Sequence, residues 1–230
     1  EPISAANSGY VPPKEYWETL RALCDKYDML LVADEVINGY GRTGKWFAIE
    51  HFGVQPDLMT TAKGITSGYA PLAAVFVGDK VYDAFAGDVS KNYHHGLTFA
   101  GNPMSAAVSL KNIEILEREN LVENARIQGE YLKARFEKMM DHQPMIGDVR
   151  GLGLLLQIEI VKDRATRATH APDLDIGKIM NPVLQKNGVL TRVWGSIQVA
   201  PPLCITREEC DILVDAIEQS RATSVSRASV

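Results

Sequence analysis

Three short apolar runs constrain this chain more than any other feature: Met29-Leu30-Leu31-Val32-Ala33, Asp57-Leu58-Met59-Thr60-Thr61-Ala62 and Leu72-Ala73-Ala74-Val75-Phe76-Val77. The first is too short for another helix, and continuous apolarity is what a strand buried on both faces looks like. It follows a different pattern. Between Pro13 and Tyr27, the residues Tyr16, Trp17, Leu20, Leu23, Cys24 and Tyr27 recur at steps of three and four behind Pro12-Pro13, which predicts an amphipathic helix. Buried strands joined by longer connections argue for an α/β layer with a largely parallel sheet. In such sheets the ligand crevice lies outside the carboxyl ends of the strands, and Asp34 and Lys63 both fall there.

Beyond Gly101-Asn102-Pro103 a helical pattern runs through Ala106, Ala107, Leu110, Ile113 and Leu116, pauses near Asn120 and resumes from Leu121 to about Met140. From Gly147 the character changes. The stretch from Val149 to Ile160 reads as one strand, followed by a polar loop with Arg164, Arg167 and His170. A helix ending at Gly188, short strands around Val189 to Val199 and a closing helix from Thr206 to about Gln219 complete a smaller α+β domain. The Ser/Arg/Ala tail from Arg221 is expected to fray.

With 46% hydrophobic and 23% charged residues over 230 positions, the chain can bury a core, which excludes disorder as its main state. A net charge of -5 with scattered Lys and Arg gives no basic field for nucleic acid. No apolar run approaches the ~20 residues that cross a bilayer, so a membrane role is not expected. Cys24, Cys204 and Cys210 form neither the CxxC pairs of a zinc site nor a disulfide framework; no metal is expected, and the odd count suits a cytoplasmic, reducing location.

A lysine at a strand end is, alone, most often a solvated charge. Around Lys63, however, Gly64, Ser67 and Gly68 make a small, permissive loop that a planar cofactor could approach. A cofactor aldehyde needs a positioned amine that forms an imine and then moves protons, and lysine supplies both. Asp34 either caps a helix, pairs with an arginine, or sits beside a protonated pyridine nitrogen. Val36, two residues on, would share a strand face with Asp34 and pack on a ring, or simply pack in the core.

The run Asp34-Glu35-Val36-Ile37-Asn38-Gly39-Tyr40-Gly41-Arg42-Thr43-Gly44, followed by Pro56-Asp57 and Thr61-Ala62-Lys63-Gly64, resembles the signature of the class III aminotransferases, including the interval between Asp34 and Lys63. That resemblance implies fold type I and pyridoxal 5'-phosphate held by Lys63 as a Schiff base. By the same resemblance Asp34 would partner the ring nitrogen, and Val36 would lie against the ring. Thr98, in His95-Gly96-Leu97-Thr98-Phe99-Ala100-Gly101-Asn102-Pro103, matches the threonine that bonds the cofactor phosphate from a partner subunit, which makes a homodimer part of the site. A helix-start turn would explain that threonine equally.

Arg192 resembles the mobile arginine that binds a substrate carboxylate, with an exposed edge-strand arginine as the competing account. Glu1, in Glu1-Pro2, resembles the glutamate that pairs with it when no carboxylate is bound, and Trp194 would wall the substrate pocket or pack in a core. His94 and His95 are taken as structural or pocket-lining, and Glu35 and Arg42 as loop scaffolding. The resemblance implies a transaminase moving an amino group from an amine or omega-amino acid to pyruvate or another 2-oxo acid. Its rivals are an aminomutase or racemase of the same fold, a Schiff-base aldolase, and a non-catalytic fragment.

Two stretches, Ile3-Ser4-Ala5-Ala6-Asn7-Ser8-Gly9-Tyr10-Val11-Pro12-Pro13 and Thr66-Ser67-Gly68-Tyr69-Ala70-Pro71-Leu72, are similar to the omega-amino acid and amine:pyruvate branch. Residues 1–118 would be the latter part of the cofactor-binding large domain, 119–146 a connecting helix and 147–230 the small domain. The likeness covers about the latter half of a family member, without the glycine/serine loop that cradles the phosphate. A longer polypeptide is therefore expected, and weak cofactor binding by this stretch alone.

Overall fold

The computed structural model describes residues 1–171 and 174–228. They form two compact units, the first of Glu1–Ile3 with Pro12–Val122, the second of Ser4–Val11 with the chain from Glu123 onward. Among the described residues no helix is long and apolar enough to cross a membrane.

The first unit opens with α1 (Lys14–Lys26), which buries Trp17 and Cys24. Trp17 packs on Phe52 with ring centroids 5.9 Å apart. A residue in the left-handed region, Asp28 (φ 50°), turns the chain toward β1 (Val32–Asp34). Next to β1 lies β2 (Leu58–Thr61), in parallel register with Val32 opposite Leu58 and Asp34 opposite Thr60. On the other side of β2 runs β3 (Ala74–Val77), antiparallel, with Thr61 opposite Ala74. The sheet is thus mixed. Residues 35–57 are long enough for the crossover a parallel pair needs, whereas 62–73 contain no crossover helix and bring the chain back antiparallel.

Burial on both faces does not hold for these strands. In β1 only Ala33 is buried between exposed Val32 and Asp34, and in β3 Val75, Phe76 and Val77 are exposed at 58, 48 and 46%. Continuous apolarity reports the residues' chemistry, not whether both faces are covered within this unit. After α2 (Asp79–Phe85), every residue from 82 to 101 is exposed. Asn102 then starts α3 (Pro103–Arg118), its Oδ1 accepting from the N–H groups of Met104 and Ser105 at 3.0 and 3.2 Å.

Between β1 and β2 the carboxylate of Glu35, fully buried, accepts from the N–H groups of Ala48 at 3.0 Å and Ile49 at 2.7 Å. These donors open the 3-10 turn Ala48–His51, so Glu35 ties the long crossover to the end of β1. Burial pushes its pKa above the ordinary 4.5, and the two N–H donors only partly oppose that shift.

The second unit starts from α4 (Leu121–Met139), whose residues from Glu123 onward belong to it. The expected single strand from Val149 to Ile160 is instead a hairpin of β4 (Ile146–Leu152) and β5 (Leu155–Ile160), with Leu152 opposite Leu155. Gly153 (φ 54°) takes the first position of the two-residue turn, where glycine alone is unstrained. The helix α5 (Ile176–Lys186) follows. Only one strand, β6 (Ser196–Val199), forms where several short ones were expected; it pairs with β5. The last helix, α6 (Arg207–Ala228), runs past Gln219 because no Gly or Pro interrupts it. The tail expected to fray from Arg221 is helical as far as Ala228, and the rest of it lies outside the described residues.

One face of this sheet forms the core, where Leu156 and Ile158 meet Leu132 and Phe136 of α4, Met180 and Leu184 of α5, and Ile217 of α6. The other face carries Arg150, Gln157 and Ser196. Gly129 of α4 packs directly on the hairpin turn: a Cβ there would lie 2.2 Å from the Gly153 carbonyl oxygen.

Two predictions follow from this packing. Alanine in an exposed helix would stabilise by ~1 kcal/mol over glycine. At position 129 the clash reverses the sign, and Gly129→Ala should lower stability by ~1–3 kcal/mol in urea titration; a neutral or stabilised variant would refute the close approach. Because the folded state holds the Glu35 proton more tightly, its contribution is fully present below about pH 4.5 and is lost as pH rises through the raised value. The stability of wild type relative to Glu35→Gln should therefore fall as pH rises above about 4.5, and a flat difference would contradict the burial effect.

Candidate active site

Asp34 is the last residue of β1, and Lys63 follows β2 by two residues. Since these strands are parallel neighbours, both residues stand at the same carboxyl edge of the sheet. The Glu35 N–H continues the ladder to the Thr60 carbonyl at 2.9 Å. Among the described residues Asp34 caps no helix and pairs with no arginine. Its Oδ1 accepts from the Val36 N–H at 3.0 Å and the Thr60 hydroxyl at 3.2 Å. Val36 is accordingly in a turn and not on the strand, so strand alternation does not set its direction.

Lys63 has φ 43°, in the left-handed region that a non-glycine residue occupies at a cost of ~1–3 kcal/mol. The permissive loop foreseen around Gly64, Ser67 and Gly68 places that strain on Lys63 and Ser67 (φ 50°), while Gly64 serves a different purpose. A Cβ at Gly64 would lie 3.0 Å from Tyr40 Cβ and 3.2 Å from the Gly39 oxygen, so this glycine lets the two strand-end loops pack together. Tyr40 is buried, and its hydroxyl lies 3.2 Å from the Thr61 hydroxyl, which donates to the Ala74 carbonyl.

A further clamp comes from α3. The Asn112 amide donates to the carbonyls of Gly64 and Ile65 at 2.9 and 3.2 Å, and its oxygen accepts from the Ser67 hydroxyl at 2.6 Å. Asn112 and Tyr40 are the positioning residues that sequence reasoning missed. Tyr40 stood inside the quoted signature, but Asn112 had no signal beyond being a polar residue in an apolar helical pattern. Lys63 itself is exposed and borders a surface depression of about 430 Å³ with Thr66, Gly68, Tyr69, Ala70 and Leu72.

Glu1 is exposed, at the head of a segment fixed by the Ile3 N–H to the Asn38 Oδ1 at 2.9 Å. Thr98 lies in the exposed stretch 82–101, and no contact joins it to Asp34, Val36 or Lys63 among the described residues. Arg192 and Trp194 fall in the second unit. The Arg192 guanidinium lies 5.4 Å from the Trp194 ring centre, both side chains are exposed, and Val193 between them is buried.

In chemical terms the first unit offers an exposed amine and a carboxylate at neighbouring strand ends. That pair fits a pyridine carrying an aldehyde, the amine for its carbonyl carbon and the carboxylate for a ring N–H.

The sequence profile of Aminotransferase class-III matches residues 1–220. Among curated relatives, a putrescine–pyruvate aminotransferase of Pseudomonas aeruginosa is 39% identical over 93% of this chain and 46% of its own length. A taurine–pyruvate aminotransferase of Bilophila wadsworthia is 41% identical over 97% of the chain and 51% of its own. Among solved structures, a thermostable (S)-enantioselective omega-transaminase from Thermomicrobium roseum superposes with TM-score 0.90 at 40% identity, covering 96% of this chain and 49% of that one. These likenesses agree with the partial α/β fold of a type I transferase. The chain spans about half the length of the curated relatives it matches, and it belongs to the class-III aminotransferase family.

Proposed function

We propose that this chain supplies the lysine-bearing half of a pyridoxal 5'-phosphate-dependent transaminase that moves an amino group from an amine or omega-amino acid to pyruvate or another 2-oxo acid. The observation that carries this is the placement of Asp34 and Lys63 at the carboxyl ends of adjacent parallel strands, with Lys63 held left-handed by the Gly64–Tyr40 packing and the Asn112 clamp. Family membership supports it, as do relatives named for putrescine, taurine and pyruvate.

When bound, the cofactor supplies an electron sink for the carbon that carries the nitrogen. Lys63 attaches it through its amine and carries the proton to and from the substrate carbon. Asp34 keeps a ring N–H through its carboxylate, which the Val36 and Thr60 donors hold on Oδ1. Val36 takes a place against the ring. Arg192 binds the acceptor's carboxylate through its planar fork, with Glu1 and Trp194 on the substrate side.

Thr98 acts toward a second copy of the chain, consistent with its fully exposed segment and its lack of contact with Lys63, so a homodimer completes the site. Residues up to 118 serve as the cofactor-binding part and those from 147 as the small domain. Three free cysteines fit a cytoplasmic location.

In the full-length polypeptide, borohydride treatment with cofactor should leave its mass on Lys63, and Lys63→Ala should abolish both the label and ~10²–10⁴-fold of the turnover. Label on another lysine would overturn the assignment. Asp34→Asn should lower turnover by about 10²–10³-fold, whereas an aldolase trapped at the same lysine would stay active. Absolute dependence on a 2-oxo acid for steady turnover separates a transaminase from a racemase or aminomutase.

A further inference from the structure

The turn that carries Arg192 has a fixed backbone. The Gln198 N–H donates to the Arg192 carbonyl at 3.1 Å, the Thr191 hydroxyl to the Gln198 carbonyl at 2.5 Å, and the Ile160 N–H to the Gly195 carbonyl at 2.8 Å. From Gly195 the chain enters β6 at Ser196, and there it meets Gln157. This β5 glutamine lies on the sheet face opposite the core and is only 3% exposed, yet both ends of its amide are used. Its Oε1 accepts from the Ser196 hydroxyl at 2.8 Å and its Nε2 donates to the Ala5 carbonyl at 2.8 Å.

Ala5 belongs to the segment Ser4–Val11, closed on itself by the Ser4–Tyr10 bridge. Arg150 holds the other end of that segment, donating from Nε to the Ser8 carbonyl at 2.9 Å with its guanidinium 4.7 Å from the Tyr10 ring centre. Gly9 backs onto the same glutamine, since a Cβ there would lie 3.3 Å from Gln157 Cγ. Between segment and turn remains a cavity of about 60 Å³, with Ala6 and Ser8 on one wall and Arg192, Trp194 and Gln198 on the other.

We propose that Gln157 is a positioning residue for carboxylate selectivity: it bridges the Ser4–Val11 segment to the Arg192 turn and so sets the width of the cavity into which Arg192 brings a carboxylate. This rests on Arg192 being the carboxylate-binding arginine. The chemistry requires an amide, because a side chain here must accept from a hydroxyl and donate to a carbonyl at once, which neither a carboxylate nor a hydrocarbon does. Loss of one connection should loosen the turn while the core behind it, built from the other face of β5, stays intact.

The test is steady-state kinetics of the full-length enzyme with pyruvate and a carboxylate-free amine, in Gln157→Leu, Ser196→Ala, the double variant and Arg192→Lys. Gln157→Leu and Ser196→Ala should each raise the pyruvate KM roughly tenfold while the amine KM and kcat stay within about twofold, and the double variant should be no worse than the worse single. An unchanged pyruvate KM, equal changes for both substrates, or additive effects would overturn the positioning role. If Gln157→Leu does not fold, Ser196→Ala decides alone. Arg192→Lys separates the two levels: should it leave the pyruvate KM unchanged, the carboxylate assignment itself fails, and should it alone raise that KM, only the role of Gln157 fails.

Discussion

The carboxylate of Asp57 sets the register on which the candidate site depends. Its Oδ2 accepts from the Leu31 N–H at 2.7 Å and from the Arg21 guanidinium at 2.8 Å, and its own N–H donates to the Leu31 carbonyl at 2.9 Å. Leu31 immediately precedes β1 and Asp57 immediately precedes β2, so these bonds lock the two strands at their starts. The Leu31 N–H, and then Arg21, hold this carboxyl below its ordinary range, so it stays ionised and acceptor-only at neutral pH. From that lock Val32 faces Leu58 and Asp34 faces Thr60. A slip of one residue would reverse which side chains face the core and would part Asp34 from the Thr60 hydroxyl that orients it.

Register alone would leave Lys63 on a loose loop. The left-handed φ at Lys63 costs energy that a solvated turn would release, so the surrounding contacts must over-determine it. Two independent attachments do so: Gly64 lies against Gly39 and Tyr40, where a Cβ would crowd both, and Asn112 from α3 takes the carbonyls of Gly64 and Ile65 and the Ser67 hydroxyl. The side chain of Lys63 remains exposed while its backbone is fixed at both ends.

Much of this was legible in the sequence, and the misses have physical causes. Apolar runs ending on Asp34 and Lys63 located both strand ends, because strand existence follows from local chemistry. Coverage of those strands was misread, since a Val or Phe looks the same whether its face is packed or open. The run from Val149 to Ile160 hid a hairpin because leucines continue through its turn, from Leu152 to Leu156, and only Gly151 and Gly153 punctuate it. Asp57 was visible as part of a signature, but its partners Arg21 and Leu31 lie far off in sequence and no periodicity connects them. Asn112 was invisible for a related reason: one polar residue in a helix looks solvated until the loop it grips is known.

The two units solve one problem by the same means. Beside Lys63 the clamp is Asn112, which uses its amide as both donor and acceptor on a neighbouring turn; beside Arg192 it is Gln157, which does likewise. A neutral amide suits both places because it satisfies two unlike partners, a donor and an acceptor, without adding a charge beside the lysine or arginine. Around Arg192 the backbone alternates outward, inward, outward, with Val193 buried and the side chains of Arg192 and Trp194 exposed. A long cation on a hydrogen-bonded turn can change direction without moving the sheet, which suits the carboxylate-binding role proposed for Arg192.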